Sequence, residues 1–467
     1  MMNNKNETKL LVFSLLFTTA LLGLGFWLWN QFTPGIPDKE ANVSPDSDST
    51  PGRISLGEKI LITDQINSDK ERGVQAFAQG NFDAARTNFQ ASLRQNQNDP
   101  ESLIYLNNSL DNSSKYIKIA VSVPIGGNLS VAKEILRGVA QAQDEVNRNS
   151  GINGKFLQVA IANDDNDPTQ AQKIATQFVK DSSILAIVGH NASNASIAAA
   201  PIYQQGGLVM ISPTSFAQNL SGIGSYIFRT VPNISSQAEP LAVYTLKTAR
   251  KTNIALCVDS KSIDNQSFKD EYAKNIVAGG GKINPTKCDF SAPDFNSTTI
   301  ISQLISSGAD GLVLAPYVGR INRALELAAA NQGKLALFGS PTLYTFQTLE
   351  SGKSDVSGMV ITVPWHPKAI PGNPFPEQAR KLWGGTVNWR SATAYNATMA
   401  IAKGLQQGYT REALQKVLHS PDFFVNGATG KIEFQESGDI KGKAILVKVQ
   451  PSKNSTANYD FFPLQEK

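Results

Sequence analysis

Leu185–Tyr203, LAIVGHNASNASIAAAPIY, runs a short apolar strand straight into a loop of small polar residues and then into an alanine-rich helix. Such a junction leaves backbone N–H groups free at the helix N-terminus, where the helix dipole adds a positive potential. The loop Gly189–Ser193, GHNAS, can therefore face an anion with its N–H groups, among them that of Asn191, and with the Ser193 hydroxyl. After the next apolar run, Gly207–Ile211, comes a second loop of the same type, Ser212–Phe216 (SPTSF), offering Thr214 and Ser215. Two hydroxyl-bearing loops at neighbouring strand ends make a carboxylate cradle that needs no fixed cation. Each hydroxyl taken alone suits helix capping equally well; the pairing of the loops is what points to a ligand.

Outward from this stretch the alternation repeats. Apolar runs stand at Ile117–Val123, Phe156–Ala162, Ile184–Val188, Ile254–Val258, Gly311–Ala315, Leu335–Phe338 and Met359–Val363. Between several of them the period lengthens to that of a helix: Val131, Ile135, Val139, Ala142 and Val146 form one apolar face, Ile174, Phe178 and Val179 part of another. Asp167 followed by Pro168 supplies a cap and a first-turn proline for the second helix. Strands alternating with helices predict an α/β fold of parallel sheets covered on both faces. Right-handed crossovers then gather the loops that follow the strands along one sheet edge, the usual place for a ligand.

Composition excludes several functions. The chain has 467 residues, 41% hydrophobic and 18% charged, enough to bury one or two cores. Its net charge of +4 is small and its lysines are scattered among acids, which excludes a nucleic-acid partner. Three histidines and the two cysteines, Cys257 and Cys288, show no metal-ligand spacing, so neither a metal nor another cofactor is expected. The run Asp164–Asp167 (DDND) lacks the glycine and distant glutamate of a calcium loop and reads as a turn and helix cap. With no G-x-S-x-G elbow and no P-loop, the chain is not expected to be an enzyme; His190, beside the first loop, reads as structural.

The amino-terminal part is organised differently. Residues 1–9 carry Lys5 and Lys9 and read as a cytoplasmic tail; Leu10–Trp29 is an uncharged apolar run of twenty residues, about the length that spans a hydrocarbon layer of roughly 30 Å. Large Trp27 and Trp29 stand where a cleavage site would need small residues, so the run reads as an uncleaved transmembrane anchor rather than a removed signal. A proline- and aspartate-rich linker is expected over 30–69. In 70–112, Ala76, Gly80, Phe82, Ala85, Phe89, Leu93 and Pro100 fall in the order of a tetratricopeptide helix–turn–helix. One such repeat is not stable alone and must lean on the main domain or on another protein.

From Lys115 to about Gln450 the chain resembles the type I periplasmic solute-binding proteins, specifically the leucine/isoleucine/valine-binding family that serves ABC importers. The resemblance is carried by Ile117–Asn128 (IKIAVSVPIGGN), Glu145–Lys155 (EVNRNSGINGK), Asn163–Ala171 (NDDNDPTQA), Ile187–Ser193 (IVGHNAS), Ala198–Ser215 (AAAPIYQQGGLVMISPTS), Phe228–Ala238 (FRTVPNISSQA) and Gly427–Ile440 (GATGKIEFQESGDI), in family order. It implies two α/β lobes over 115–467 joined by three crossings, with the ligand between them. The crossings are expected near Val231–Asn233, Val363–Trp365 and Val425–Thr429, which puts about 115–230 and 364–424 in lobe 1 and about 231–363 and 425–450 in lobe 2.

Carried over residue by residue, the resemblance places the family's carboxylate-binding loops on Asn191, Ala192 and Ser193 and on Thr214, Ser215 and Phe216. Phe216 stands where the family often has a threonine, so Ser215 replaces that hydroxyl or Phe216 packs on the ligand. Tyr317, in LAPYVG, falls on a pocket position of lobe 2. The family's ammonium-binding acid falls at Pro341 or Thr342, where there is no carboxylate. Asp264 is then the candidate counter-charge, or the ligand lacks an α-ammonium. The implied function is extracytoplasmic capture of an amino acid or related carboxylate or amide and its delivery to an ABC permease. The protein would be anchored by a single pass in the inner membrane, with its body in the periplasm. The alternative is an anchored sensor signalling through a protein partner of the helical segment. Cys257 and Cys288 lie on or beside successive strands and can pair in an oxidising compartment.

Overall fold

The computed structural model describes residues 52–110 and 116–464. The expected tail 1–9, the apolar run Leu10–Trp29 and the linker as far as Pro51 lie outside the described residues. Among the described residues, no helix is long and apolar enough to cross a membrane.

The linker is shorter than expected. Ile54–Ser55 (β1) pairs antiparallel with the strand Phe156–Asn163, Ile62 is buried, and Leu61 donates its N–H to the Glu101 carboxylate at 2.7 Å. Residues 52–67 therefore belong to the body, because their backbone and apolar groups have partners in it.

Three helices follow, Ser68–Ala78 (α1), Phe82–Gln95 (α2) and Pro100–Asn108 (α3), capped by the side chains of Asn67, Asn81 and Asp99. Ala85 and Phe89 are fully buried between them. Lys70 is buried too, with its ammonium 2.8 Å from Asp99 and 2.7 Å from Glu101. This unit leans on the main domain. The Asn108 carboxamide donates to the Val159 carbonyl at 2.8 Å and accepts from the Val159 N–H at 2.9 Å, so it extends the hydrogen-bond ladder at the edge of the strand Phe156–Asn163.

Lobe 1 then builds Tyr116–Val123 (β2), Leu129–Arg148 (α4), Phe156–Asn163 (β3), Pro168–Lys180 (α5), Ile184–Val188 (β4), Ser193–Gln205 (α6), Val209–Ser212 (β5) and Ile227–Arg229 (β6). Its sheet has the order β1-β3-β2-β4-β5-β6, parallel except for β1. Asp167 caps α5 by accepting from the Gln170 N–H, with Pro168 in the first turn. The Val131, Ile135, Val139, Ala142 and Val146 face of α4 is buried.

The chain passes to lobe 2 over residues 230–233. Lobe 2 comprises Ile234–Val243 (α7), Asn253–Val258 (β7), Ile263–Ala278 (α8), Lys282–Ile283 (β8), Cys288–Asp289 (β9), Ser297–Ser306 (α9), Gly311–Ala315 (β10), Ile321–Asn331 (α10), Ala336–Gly339 (β11), Phe346–Gly352 (α11) and Val360–Val363 (β12). Over 364–374 it returns to lobe 1 for Phe375–Trp383 (α12), Trp389–Leu405 (α13), Arg411–Leu418 (α14) and the hairpin Val425–Gly427 (β13), Gly430–Ile432 (β14). Helix α13 crosses α4 so closely that a Cβ on Gly138 would lie 2.1 Å from the Ser391 carbonyl oxygen. Ile445–Pro451 (β15) and Tyr459–Pro463 (β16) complete lobe 2, whose sheet runs β16-β15-β12-β11-β10-β7-β8 with β9 beside β7.

Two expectations are corrected. The sheets are mixed: β15 joins β12 antiparallel and β16 joins β15 antiparallel, because the last crossing returns the chain to an edge that a hairpin can extend. The third crossing lies at 441–444, later than Val425–Thr429. The β13–β14 hairpin is held on lobe 1 by the Asn396 carboxamide, which donates to the Thr429 hydroxyl and accepts from the Ala428 N–H. Asp439 is held there as well, 2.6 Å from the buried Arg229 guanidinium. Cys257 and Cys288 are register partners on β7 and β9 and form a disulfide.

Candidate ligand-binding cleft

Helices α6 and α8 begin at strand ends of opposite lobes, and their N-termini meet across the cleft. Ser193 opens α6, following β4; Asp264 stands in the first turn of α8, following β7. The Ser193 N–H donates to Asp264 Oδ2 at 2.9 Å, the Phe216 N–H donates to Oδ1 at 3.1 Å, and the Ser193 hydroxyl also donates to Oδ1. A carboxylate cradle built from two main-chain amides and one hydroxyl is thus present in lobe 1, and the carboxylate in it belongs to lobe 2. Further bonds flank it: Ile263 donates its N–H to Asn194 Oδ1 at 3.0 Å and Gln218 donates its N–H to the Ser267 hydroxyl at 3.3 Å. Burial pushes the Asp264 carboxyl above its ordinary range, while the hydrogen bonds from Ser193 and Phe216 and the charge of Arg229 pull the other way.

Asp264 thus faces lobe 1, where its carboxylate is held by the donors of Ser193 and Phe216. The remaining candidates separate into two groups. Asn191, Thr214, Phe216 and Tyr317 line one cavity of about 40 Å³ together with Asp264. Thr214 spends its hydroxyl on the Asn191 carbonyl at 2.8 Å, and Asn191 donates its side-chain amide to Asn166 at 3.0 Å, so both hold the shape of the loop. Phe216 contributes its N–H and its ring. Ser215 faces away: its buried hydroxyl lies 2.7 Å from the Ser196 hydroxyl and donates to the Asn191 carbonyl at 3.1 Å, so it does not replace the hydroxyl missing at Phe216. His190 is internal as well, with Nδ1 2.6 Å from Asp164 and Nε2 3.1 Å from the Tyr203 hydroxyl.

Among the residues that the sequence did not single out for the cleft, or placed only as a family position, Asn265, Thr342, Trp389 and Arg390 also line the cavity. Asn265 is buried, and among the described residues neither polar atom of its carboxamide has a partner; Arg390 Nη1 and Trp389 Nε1 have none there either. Burial pulls the Arg390 guanidinium down to about 10, the charge of Glu134 partly offsetting it. A signal for Arg390 existed. Helix α13 is apolar or small at nearly every position of WRSATAYNATMAIAKGL and is buried from Trp389 to Thr398, where a charge is not held without a specific reason. The cleft can thus hold an anion on main-chain amides, a cation on Asp264 once that carboxylate is released, and a further acceptor at Arg390.

The sequence pattern of the periplasmic binding protein family matches residues 116–455. The Leu/Ile/Val-binding protein of Escherichia coli is 26% identical over 335 residues, covering 70% of this chain and 88% of that one. The crystal structure of a leucine-binding protein from Thermotoga maritima superposes with a TM-score of 0.66 at 22% identity, covering 74% of this chain and 97% of that one. A solute-binding protein of an ABC transporter from Rhodopseudomonas palustris, in complex with 3,4-dihydroxybenzoic acid, shares the fold with a TM-score of 0.64 at 18% identity, over 75% of this chain and 97% of that one. The family pattern spans well over half of the sequence and both lobes of the cleft: the chain belongs to the periplasmic binding protein family.

Proposed function

We propose that this protein captures a small polar solute of the amino-acid class between its lobes and presents it to an ABC importer. The observation that carries this reading is the convergence of Ser193 N, Ser193 Oγ and Phe216 N on a single carboxylate across the cleft. The Leu/Ile/Val-binding relative supports the amino-acid class. A ligand carboxylate takes the place of Asp264 in the cradle, and the released Asp264 turns to the ligand's ammonium, which cannot be buried without a counter-charge. Closure about the three crossings is a population shift: a ligand that touches both lobes favours the closed arrangement, and the importer recognises that form.

Leu10–Trp29 is read as a single-pass anchor that keeps the body on the periplasmic side of the inner membrane and confines its search to the neighbourhood of the permease. The Cys257–Cys288 bond agrees with an oxidising compartment. A second reading is a ligand sensor that passes occupancy to a protein partner through the tetratricopeptide-like helices α1–α3. What favours it is a helical unit fixed to lobe 1 beside a hinged cleft.

A thermal-shift panel of amino acids, amides and carboxylates on the full chain tests the binding role, since a tight binder raises the melting point by mass action. A panel in which no amino acid or carboxylate shifts it refutes the role. Tracer uptake in a deletion strain, beside pull-downs with and without residues 70–112, separates delivery from sensing.

A further inference from the structure

Among the described residues, Arg390 is a buried cation that makes no ion pair. It stands in the first turn of α13, 4% exposed, with its guanidinium carbon 4.4 Å from the centre of the Trp389 ring. Its Nη1 makes no hydrogen bond. Glu134, the acid whose charge reaches it, is already engaged by Arg137, by the Ser391 hydroxyl and by the Asn388 N–H. Another buried arginine, Arg229, shows how the fold treats such a group when the role is structural: it pairs with Asp439 at 2.6 Å and donates to the Ala217 carbonyl at 2.8 Å. Only Arg390 of the two lines the ligand cavity, and only Arg390 is left open.

Charge balance then narrows the ligand. An α-amino acid with a neutral side chain places its carboxylate in the Ser193 cradle and its ammonium on Asp264, and leaves Arg390 buried and unpaired. Two more buried groups on the same cavity also lack partners, the Asn265 carboxamide and the Trp389 indole N–H. Three residues that line this cavity thus carry unpartnered buried donors, against one unpartnered acceptor, the Asn265 carboxamide oxygen, and a group with several acceptor oxygens is what would satisfy them.

Resting on the solute-binding reading above, we propose that the ligand carries two carboxylates, one for the cradle at Ser193 and Phe216 and the other for Arg390, Asn265 and Trp389. The solute class is a small dicarboxylate, and the position of Asp264 favours one that also bears an α-ammonium, an acidic amino acid.

Calorimetric titration of the full-length protein with L-glutamate, L-aspartate, glutarate, L-glutamine and L-leucine tests this. L-glutamate or L-aspartate should bind about tenfold or more tighter than L-glutamine and L-leucine, and Arg390→Gln should remove that preference by weakening only the dicarboxylates, by about tenfold to a hundredfold. Glutarate binding as well as L-glutamate would keep the two-carboxylate assignment and remove the ammonium from it. Wild-type protein that binds L-leucine or L-glutamine as tightly as L-glutamate would overturn the proposal while leaving the solute-binding reading intact; binding of none of the five would overturn the proposal too, and the wider thermal-shift panel then decides the solute-binding reading. The comparison of L-glutamate with L-glutamine needs no variant, so it decides the matter even if Arg390→Gln fails to fold.

Discussion

Asp264→Ala empties the cradle and removes the carboxylate that ties α8 of lobe 2 to the N-terminus of α6. In the closed protein that carboxylate accepts two main-chain N–H bonds and one hydroxyl bond. Hydrogen bonds to a charged group contribute roughly 1.5–3 kcal/mol each over their equivalents in water. Taking the carboxylate out of water costs several kcal/mol and cancels most of that. About 2 kcal/mol of net latch remains, equivalent to a closed-to-open ratio about thirtyfold higher than without it. The contacts of Asn194 with Ile263 and Lys261 survive the substitution, so the lobes lose a preference rather than their fold. Small-angle scattering of the unliganded variant should show a larger radius of gyration than wild type. Carboxylates without an ammonium should bind it more tightly, by up to the same thirtyfold factor, because they no longer compete with an internal carboxylate. α-Amino acids should gain less or lose, since the variant also lacks their counter-charge. An unchanged radius of gyration together with unchanged carboxylate affinity would show that Asp264 neither holds the closed form nor occupies the ligand's place.

The same carboxylate makes closure depend on pH. Burial raises its pKa in the closed form above the ordinary aspartate value of 3.8, so between those two values the closed form binds more protons than the open one. Unliganded closure should therefore be strongest below the ordinary value and weaken as pH rises through the raised one; scattering across that range should show it, and Asp264→Asn should flatten the curve. Ser215→Ala should lower unfolding stability in urea by about 1–3 kcal/mol, because it strips partners from a buried loop, while leaving ligand affinity nearly unchanged. Reduction of Cys257–Cys288, which spans 31 residues, should cost about 3–4 kcal/mol by loop entropy and lower the melting temperature without shifting ligand preference.

The central strands were legible because parallel strands buried on both faces read as continuous apolar runs, and β10, GLVLA, is buried at all five positions. The edge strands were not. In β15, ILVKVQP, and β16, YDFFP, buried and half-buried residues alternate with charge, so no run stands out, and the mixed character of the sheet went with them. The short β1 was hidden in a segment whose composition resembles a linker, since its order comes from Glu101 and from β3, far along the chain.

The cleft divides along the same line. The Ser193 donors are local, because a strand end that feeds a helix exposes N–H groups whatever lies opposite, and so Ser193 could be placed from the sequence; the second loop was expected to act through the Thr214 and Ser215 hydroxyls, which turn to the Asn191 carbonyl, and its donor is the Phe216 N–H instead. What the cradle holds is not local: Asp264 lies 71 residues away in the other lobe, and no periodicity encodes a contact across a hinge. Arg390 was obscured for a related reason. A charge in the first turn of a helix normally meets solvent, and only the burial of the N-terminal half of α13 makes this one anomalous. An amino-acid sequence thus displays what each segment can offer, whereas the ligand is specified by what the assembled segments leave unpaired. Here that remainder is a guanidinium, a carboxamide and an indole N–H around one cavity, which is why the strongest statement about the solute comes from its wall rather than from its most recognisable loop.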